Sequence, residues 1–155
     1  MSPDPAVRVA SEADAGAVAS LLYDFNTEFG EPVPEVGVLT ERISEHIGRS
    51  ESTFLLVGGG PEGFAQLRFR PSLITGAPDA YLEELYVAPA LRGKGLGRAL
   101  LEAAMEEARR RGAARIDLGT SEDDTAARGL YESAGFTNRE GRPDGPVMLY
   151  YERDL

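Results

Sequence analysis

With 155 residues the chain has room for one domain with a real core and too little for two comfortable ones. Its composition, 42% hydrophobic and 27% charged, is that of a globular protein, and no apolar run approaches the roughly 20 residues needed to span a bilayer. The lack of cysteine and the single histidine exclude a structural zinc centre, a disulfide framework and thiol nucleophile chemistry, while a net charge of -10 repels nucleic acid and favours cationic small molecules or basic peptides.

Residues 1–5, MSPDP, read as a disordered N-terminus. The opening stretch lacks the basic start and apolar centre of a signal peptide, so the cytoplasm is the expected address. A short strand is predicted over Val7 to Ala10. Ser11 followed three residues later by Asp14 resembles a capping box and opens a helix with Val18, Leu21, Leu22 and Phe25 on one face. Residues 26–37, rich in Glu and Pro, read as a loop, and a second helix is expected from Leu39 to about Gly48 with Ile43 and Ile47 inward. His46 reads as a surface residue of that helix rather than a metal ligand.

The period then changes to that of strands. Thr53 to Val57 is a compact apolar run, GGGPEG is turn chemistry, and Ala65, Leu67 and Phe69 alternate with Gln66, Arg68 and Arg70. Tyr81 to Val87 is a third strand, stopped by Pro89. Leu96, Leu100, Leu101, Ala104, Met105 and Ala108 mark a helix whose Arg109 to Arg111 suit its negative C-terminal end, with Gly112 as the stop. A strand over Arg115 to Thr120 follows, then a helix with Ala127, Leu130, Tyr131 and Ala134 on one stripe, closed by Gly135. Two last strands are expected, a short one over Phe136 to Arg139 and a longer one over Val147 to Arg153. The order predicts a mixed α/β sandwich with about six or seven strands and about four helices.

Between the third strand and its helix lies LRGKGLGRALL. A strand that enters a glycine-rich turn and then a helix offers several backbone N–H groups, and the positive end of a dipole, to an anion. Spacing excludes the two commonest phosphate loops. Lys94 is not followed by Ser or Thr as an ATP-type loop requires, and no three glycines stand at G-x-G-x-x-G. Arg92, Gly95 and Gly97 instead satisfy [QR]-x-x-G-x-[GA], and DDTAARGLYESAGF places Ala127, Leu130, Tyr131, Gly135 and Phe136 at the spacing N-x-x-A-x-x-L-Y-x-x-x-G-F, with Asp124 where Asn usually stands.

These two motifs, with the element order, resemble the GNAT superfamily of N-acetyltransferases from about Val7 to Arg153. YLEELYVAPALRGKGLG is locally similar to the diamine and polyamine N-acetyltransferases. The resemblance implies a GNAT fold over residues 6–155 as one domain, acetyl-CoA as co-substrate with no metal, and an acyltransferase acting on a primary amine. It implies a cofactor site at Leu85, Tyr86, Val87, Arg92, Gly93, Lys94, Gly95, Leu96, Gly97, Arg98, Asp124 and Ala127. An Asp at 124 caps a helix as well as Asn does but cannot donate a hydrogen bond to the cofactor.

Glu83 and Glu84 interrupt the apolar strand before the loop and are the candidates for the base that a protonated amine needs. Adjacent strand residues point to opposite faces unless a bulge intervenes, and the resemblance puts Glu83 first. It makes Tyr131 the candidate donor to the leaving thiolate. Phe25, Glu28 and Phe29, among the acidic and aromatic residues of YDFNTEFGEPVPE, are expected to receive a cationic acceptor by ion pairing and cation–π contact. The expected partners are therefore a small-molecule amine, such as a polyamine, or a basic peptide, with neither nucleic acid nor membrane, and a homodimer is compatible with the superfamily. Acetylation of protein N-termini, and a non-catalytic acyl-CoA-binding sensor, are the alternatives.

Overall fold

In the computed structural model, which describes residues 5–59 and 62–155, the chain forms two compact units that meet in sequence between Leu118 and Gly119. The readings for residues 1–4 and for Gly60 and Pro61 of the first hairpin turn lie outside the described residues.

The first unit begins with strand β1 (Val7–Val9). Ser11 N donates to Asp14 Oδ2 at 2.8 Å, and Arg8 grips the same carboxylate with Nη1 and Nη2 at 2.7 and 2.8 Å. The Arg8 guanidinium and then the Ser11 amide hold the Asp14 carboxyl below the usual carboxylate range. This start launches a short 3-10 turn (Glu12–Asp14) and helix α1 (Ala15–Glu28). The helix continues beyond Phe25 into the expected loop, with Asn26 Nδ2 donating back to Leu22 O at 2.9 Å. Helix α2 (Val36–Gly48) starts three residues earlier than expected: Glu35, still extended, accepts the first helical bond from Leu39 N at 3.1 Å, and the Thr40 hydroxyl donates to Val36 O at 2.8 Å.

Strands β2 (Thr53–Val57), β3 (Gly63–Pro71) and β4 (Pro78–Val87) follow, then helix α3 (Leu96–Arg110) and strand β5 (Ile116–Leu118). They form one sheet in the order β1-β2-β3-β4-β5, antiparallel except for the parallel β4–β5 pair. Period-two alternation divides its side chains between two covers. Phe54, Leu56, Phe64 and Tyr86 join Val18, Leu21, Leu39 and Ile43 under α1 and α2. On the other face α3 packs on β2, β3 and β4, with Leu100, Leu101 and Ala104 fully buried. Burial of each such leucine contributes about 1.5–3 kcal/mol. Gly63 lets β3 and β4 approach where it pairs with Val87, since a Cβ there would stand 2.6 Å from Tyr86 O.

The second unit contains helix α4 (Thr125–Ser133), stopped at Gly135 with φ 93°. The stretch after it is rich in turns, with Arg142 N bonded to Arg139 O and Gly145 N to Arg142 O. The strands expected over Phe136 to Arg139 and Val147 to Arg153 do not form among the described residues, so the sheet has five strands rather than six or seven. The residues from Val147 to Tyr151 have strand propensity, but Leu149, Tyr150 and Tyr151 are 69%, 73% and 84% exposed. Met148 N does donate to Asn138 O at 2.7 Å, joining the two stretches, but propensity and a single rung do not make a strand.

Candidate active site

Along β4, opposite β3, the register runs Tyr86 to Phe64, Leu85 to Ala65 and Glu84 to Gln66, then jumps to Leu82 opposite Leu67. Glu83 is the extra residue of this bulge. It stands exposed, while Glu84 is half-buried on the face it shares with Gln66. Burial first, and the neighbouring Glu83 charge second, push the Glu84 carboxyl up to about 7. The two carboxylates are thereby separated, Glu83 exposed at the bulge and Glu84 half-buried with its carboxyl held up.

The bulge also marks where β4 loses its other neighbour. Pairing with β5 ends at Leu82 opposite Leu118, so from Glu83 to Val87 that edge has no strand partner among the described residues. Leu85, Tyr86 and Val87 therefore lie on an open backbone edge beside the glycine loop. An extended amide-bearing chain can add to such an edge as a strand does.

Past Val87 the chain makes a 3-10 turn (Pro89–Leu91), Arg92 is extended, and Gly93 and Gly95 take φ of 78° and 84°. These values are open to glycine and strained for other residues. The first helical bond of α3 is Ala99 N to Gly95 O at 3.0 Å, so the amides of Leu96 and Gly97 precede any intrahelical acceptor. The side chain of Leu96 is buried, fixing the helix start, and Gly97 lies within its first turn. A Cβ built on Gly93 or Gly95 meets nothing within 4 Å. Open space, presented amides and the cations Lys94 and Arg98 fit a diphosphate.

The Arg92 side chain is turned the other way. Its Nε donates to Val87 O at 3.0 Å, its Nη2 to Glu28 Oε1 at 2.9 Å, and its guanidinium lies 5.6 Å over the Tyr86 ring. Tyr86 in turn stacks on Phe25 at 4.8 Å and donates its hydroxyl to Glu28 Oε1 at 3.3 Å. Burial and the Glu28 charge raise the Tyr86 phenol, which stays protonated. Phe29 meets Phe25 edge-on at 5.4 Å and is 57% exposed. Phe25, Glu28 and Phe29 are thus brought together, with the Glu28 carboxylate already paired to a cation of this chain.

One group beside Glu84 had no signal in the sequence. Gln66 Nε2 donates to Ser52 Oγ at 3.0 Å, and His46 Nδ1 lies 3.0 Å from the same oxygen. His46 is therefore tied to the sheet through a buried serine rather than being a purely surface residue. Only the strand register places Gln66 opposite Glu84.

In the second unit Asp124 caps α4, its Oδ1 accepting from Ala127 N at 3.1 Å. Tyr131 is half-buried, its ring edge-on to Phe136 at 5.9 Å. Among the described residues no cluster of side chains is suited to a metal ion, and no helix is long and apolar enough to cross a membrane.

The sequence profile described as the acetyltransferase (GNAT) family matches residues 18–136. An aminoglycoside N(6')-acetyltransferase type 1 of Stenotrophomonas maltophilia is 31% identical over 141 residues, covering 88% of each chain. A mycothiol acetyltransferase of Gordonia bronchialis is 30% identical over an alignment of 155 positions that covers 92% of this chain and 49% of that protein. A crystal structure from Arthrobacter sp. FB24, assigned as an acetyltransferase, superposes with a TM-score of 0.91 at 44% identity over 100% of this chain and 99% of that one.

Proposed function

The chain belongs to the acetyltransferase (GNAT) family, and from that premise we propose that it moves an acetyl group from acetyl-CoA to a primary amine of a cationic small molecule. Residues 6–155 act in this reading as one catalytic domain, supported by a family match over residues 18–136 that runs from the first unit into the second. The relative that acts on aminoglycosides, and the exposed acids Asp24, Glu31 and Glu35 beside the aromatic end of α1, support an acceptor with several spaced ammonium groups. Aminoglycosides and polyamines share that chemistry.

The observation that carries the mechanism is the half-buried Glu84 carboxyl held near 7 where the β4 ladder opens beside the glycine loop. An amine of pKa ~10.4 is overwhelmingly protonated at neutral pH, a deficit of about 4.6 kcal/mol in nucleophile. Glu84 is partly ionised there and takes a proton from the ammonium, directly or through water, freeing the lone pair; the N–C bond then forms, the C–S bond breaks, and the nitrogen's second proton passes to the departing thiolate. The glycine-loop amides and Lys94 hold the diphosphate. The open edge of β4 receives the pantetheine arm and offers an N–H between Leu85 and Val87 to the carbonyl oxygen. Tyr131 donates to the departing sulfur. Its own pKa of ~10 lies above the ~8.5 of a thiol, so a hydrogen bond to the developing thiolate is the larger part of its contribution.

The test is release of CoA from acetyl-CoA over a panel of amines, wild type beside Glu84→Gln. The proposal expects turnover on aminoglycosides or polyamines, falling about 10²- to 10⁴-fold in the variant. Turnover on peptide N-termini alone would replace the acceptor class, and tight CoA binding with no turnover on any amine would make the protein a sensor.

A further inference from the structure

Glu28 lies at the end of α1, 64 residues before Arg92, yet its Oε1 receives both Arg92 Nη2 and Tyr86 Oη. Arg92 immediately precedes the first positive-φ glycine. Its side chain joins the last carbonyl of β4, the last turn of α1 and the start of the loop. Ala88 N is tied to Glu62 O at 2.9 Å where the segment leaves β4, and the backbone ties after it are local: Leu91 N to Ala88 O at 2.9 Å and Arg92 N to Pro89 O at 3.4 Å. Gly93 and Gly95 have more conformational freedom to lose than any other residue type. A cradle of amides on such a chain is preorganised only as far as something outside it fixes its direction.

We infer that Glu28 is a positioning residue for the acetyl-CoA loop: its carboxylate holds the Arg92 guanidinium against the end of β4, and so sets how the amides of Gly93 to Gly97 face the diphosphate. This rests on the acetyl-CoA reading of the loop. It changes the part expected of Glu28, because an oxygen that already accepts from an arginine and a phenol is the partner of those two groups before it can be the partner of an incoming ammonium. The acceptor is left to the exposed acids around it, Asp24, Glu31 and Glu35.

The experiment is isothermal titration of CoA into wild type, Glu28→Gln, Arg92→Ala and the double variant, with melting curves to establish that each is folded. Glu28→Gln should weaken CoA about five- to tenfold, the range of one partly exposed charge-assisted hydrogen bond. The double variant should bind no more weakly than Arg92→Ala alone, since the two act through one contact. With kanamycin as the amine, the KM for acetyl-CoA should rise by the same factor while the KM for kanamycin stays within about twofold. Unchanged CoA affinity in Glu28→Gln, or additive losses in the double variant, would overturn the inference. Failure of the wild type to bind CoA would instead overturn the acetyl-CoA reading on which it rests.

Discussion

A carboxyl group poised near 7 changes charge within the range where most enzymes work, so Glu84 should be visible in any pH profile. Acting as a base it must be ionised, and kcat/KM should rise with pH to a plateau through an apparent pKa of about 7, a limb absent from Glu84→Gln. Because the Glu83 charge helps raise that pKa, Glu83→Gln should move the limb to lower pH without abolishing turnover. The same shift has a consequence for stability. A carboxyl whose folded pKa exceeds its unfolded value favours the folded state fully below about 4.5, and that contribution is lost as pH rises through about 7. Glu84→Gln, neutral throughout, avoids the loss, so its melting temperature should rise relative to wild type between pH 5 and 8, by roughly 2–4 °C for each kcal/mol involved. The pair Glu83–Glu84 was legible as a carboxylate interruption of an apolar strand. Which of the two is tuned was not, because that depends on a bulge, and a bulge is a relation between two strands distant in sequence.

The glycine loop is the element in which local chemistry decides most. Gly95 caps α3 with φ 84°, a conformation that excludes β-branched side chains, whereas Gly97 lies within the helix. Gly95→Val should therefore remove CoA binding in titration while leaving a folded protein, since the loop is exposed. Gly97→Ala should keep or slightly raise helix stability and weaken CoA only by crowding the diphosphate. Gly63→Ala tests a different element: its Cβ would press on Tyr86 O, and urea unfolding should show a loss of about 1–3 kcal/mol. Helices α1 to α4, the loop and the three central strands were readable because each follows from its own stretch of sequence, through a period, a cap or a stop. The β4–β5 opening and the Arg92 clamp were not, being set by residues far apart in the chain. The two final strands failed for the same reason in reverse: VMLYY has the right residues, but a strand also needs a ladder, and Met148 N to Asn138 O is a single rung.

Across the whole molecule, the net charge of -10 and the acids at the end of α1 agree in sign with an acceptor that carries several ammonium groups. Such an attraction is screened within about 8 Å at physiological salt, so the KM for the amine should rise with ionic strength more steeply than kcat falls. The donor was legible through the family resemblance that the glycine loop and ARGLYESAGF carry together, spacing alone having only excluded the two commonest phosphate loops. The acceptor was not, because cationic ligands are met by exposed side chains with no fixed spacing. The central claim, acetyl transfer to such an amine, is tested most directly by mass spectrometry of aminoglycosides and polyamines incubated with acetyl-CoA and the purified protein. A product heavier by one acetyl group is expected with wild type, and little or none with Glu84→Gln. An unmodified panel, with CoA nevertheless bound by the wild-type protein, would contradict it.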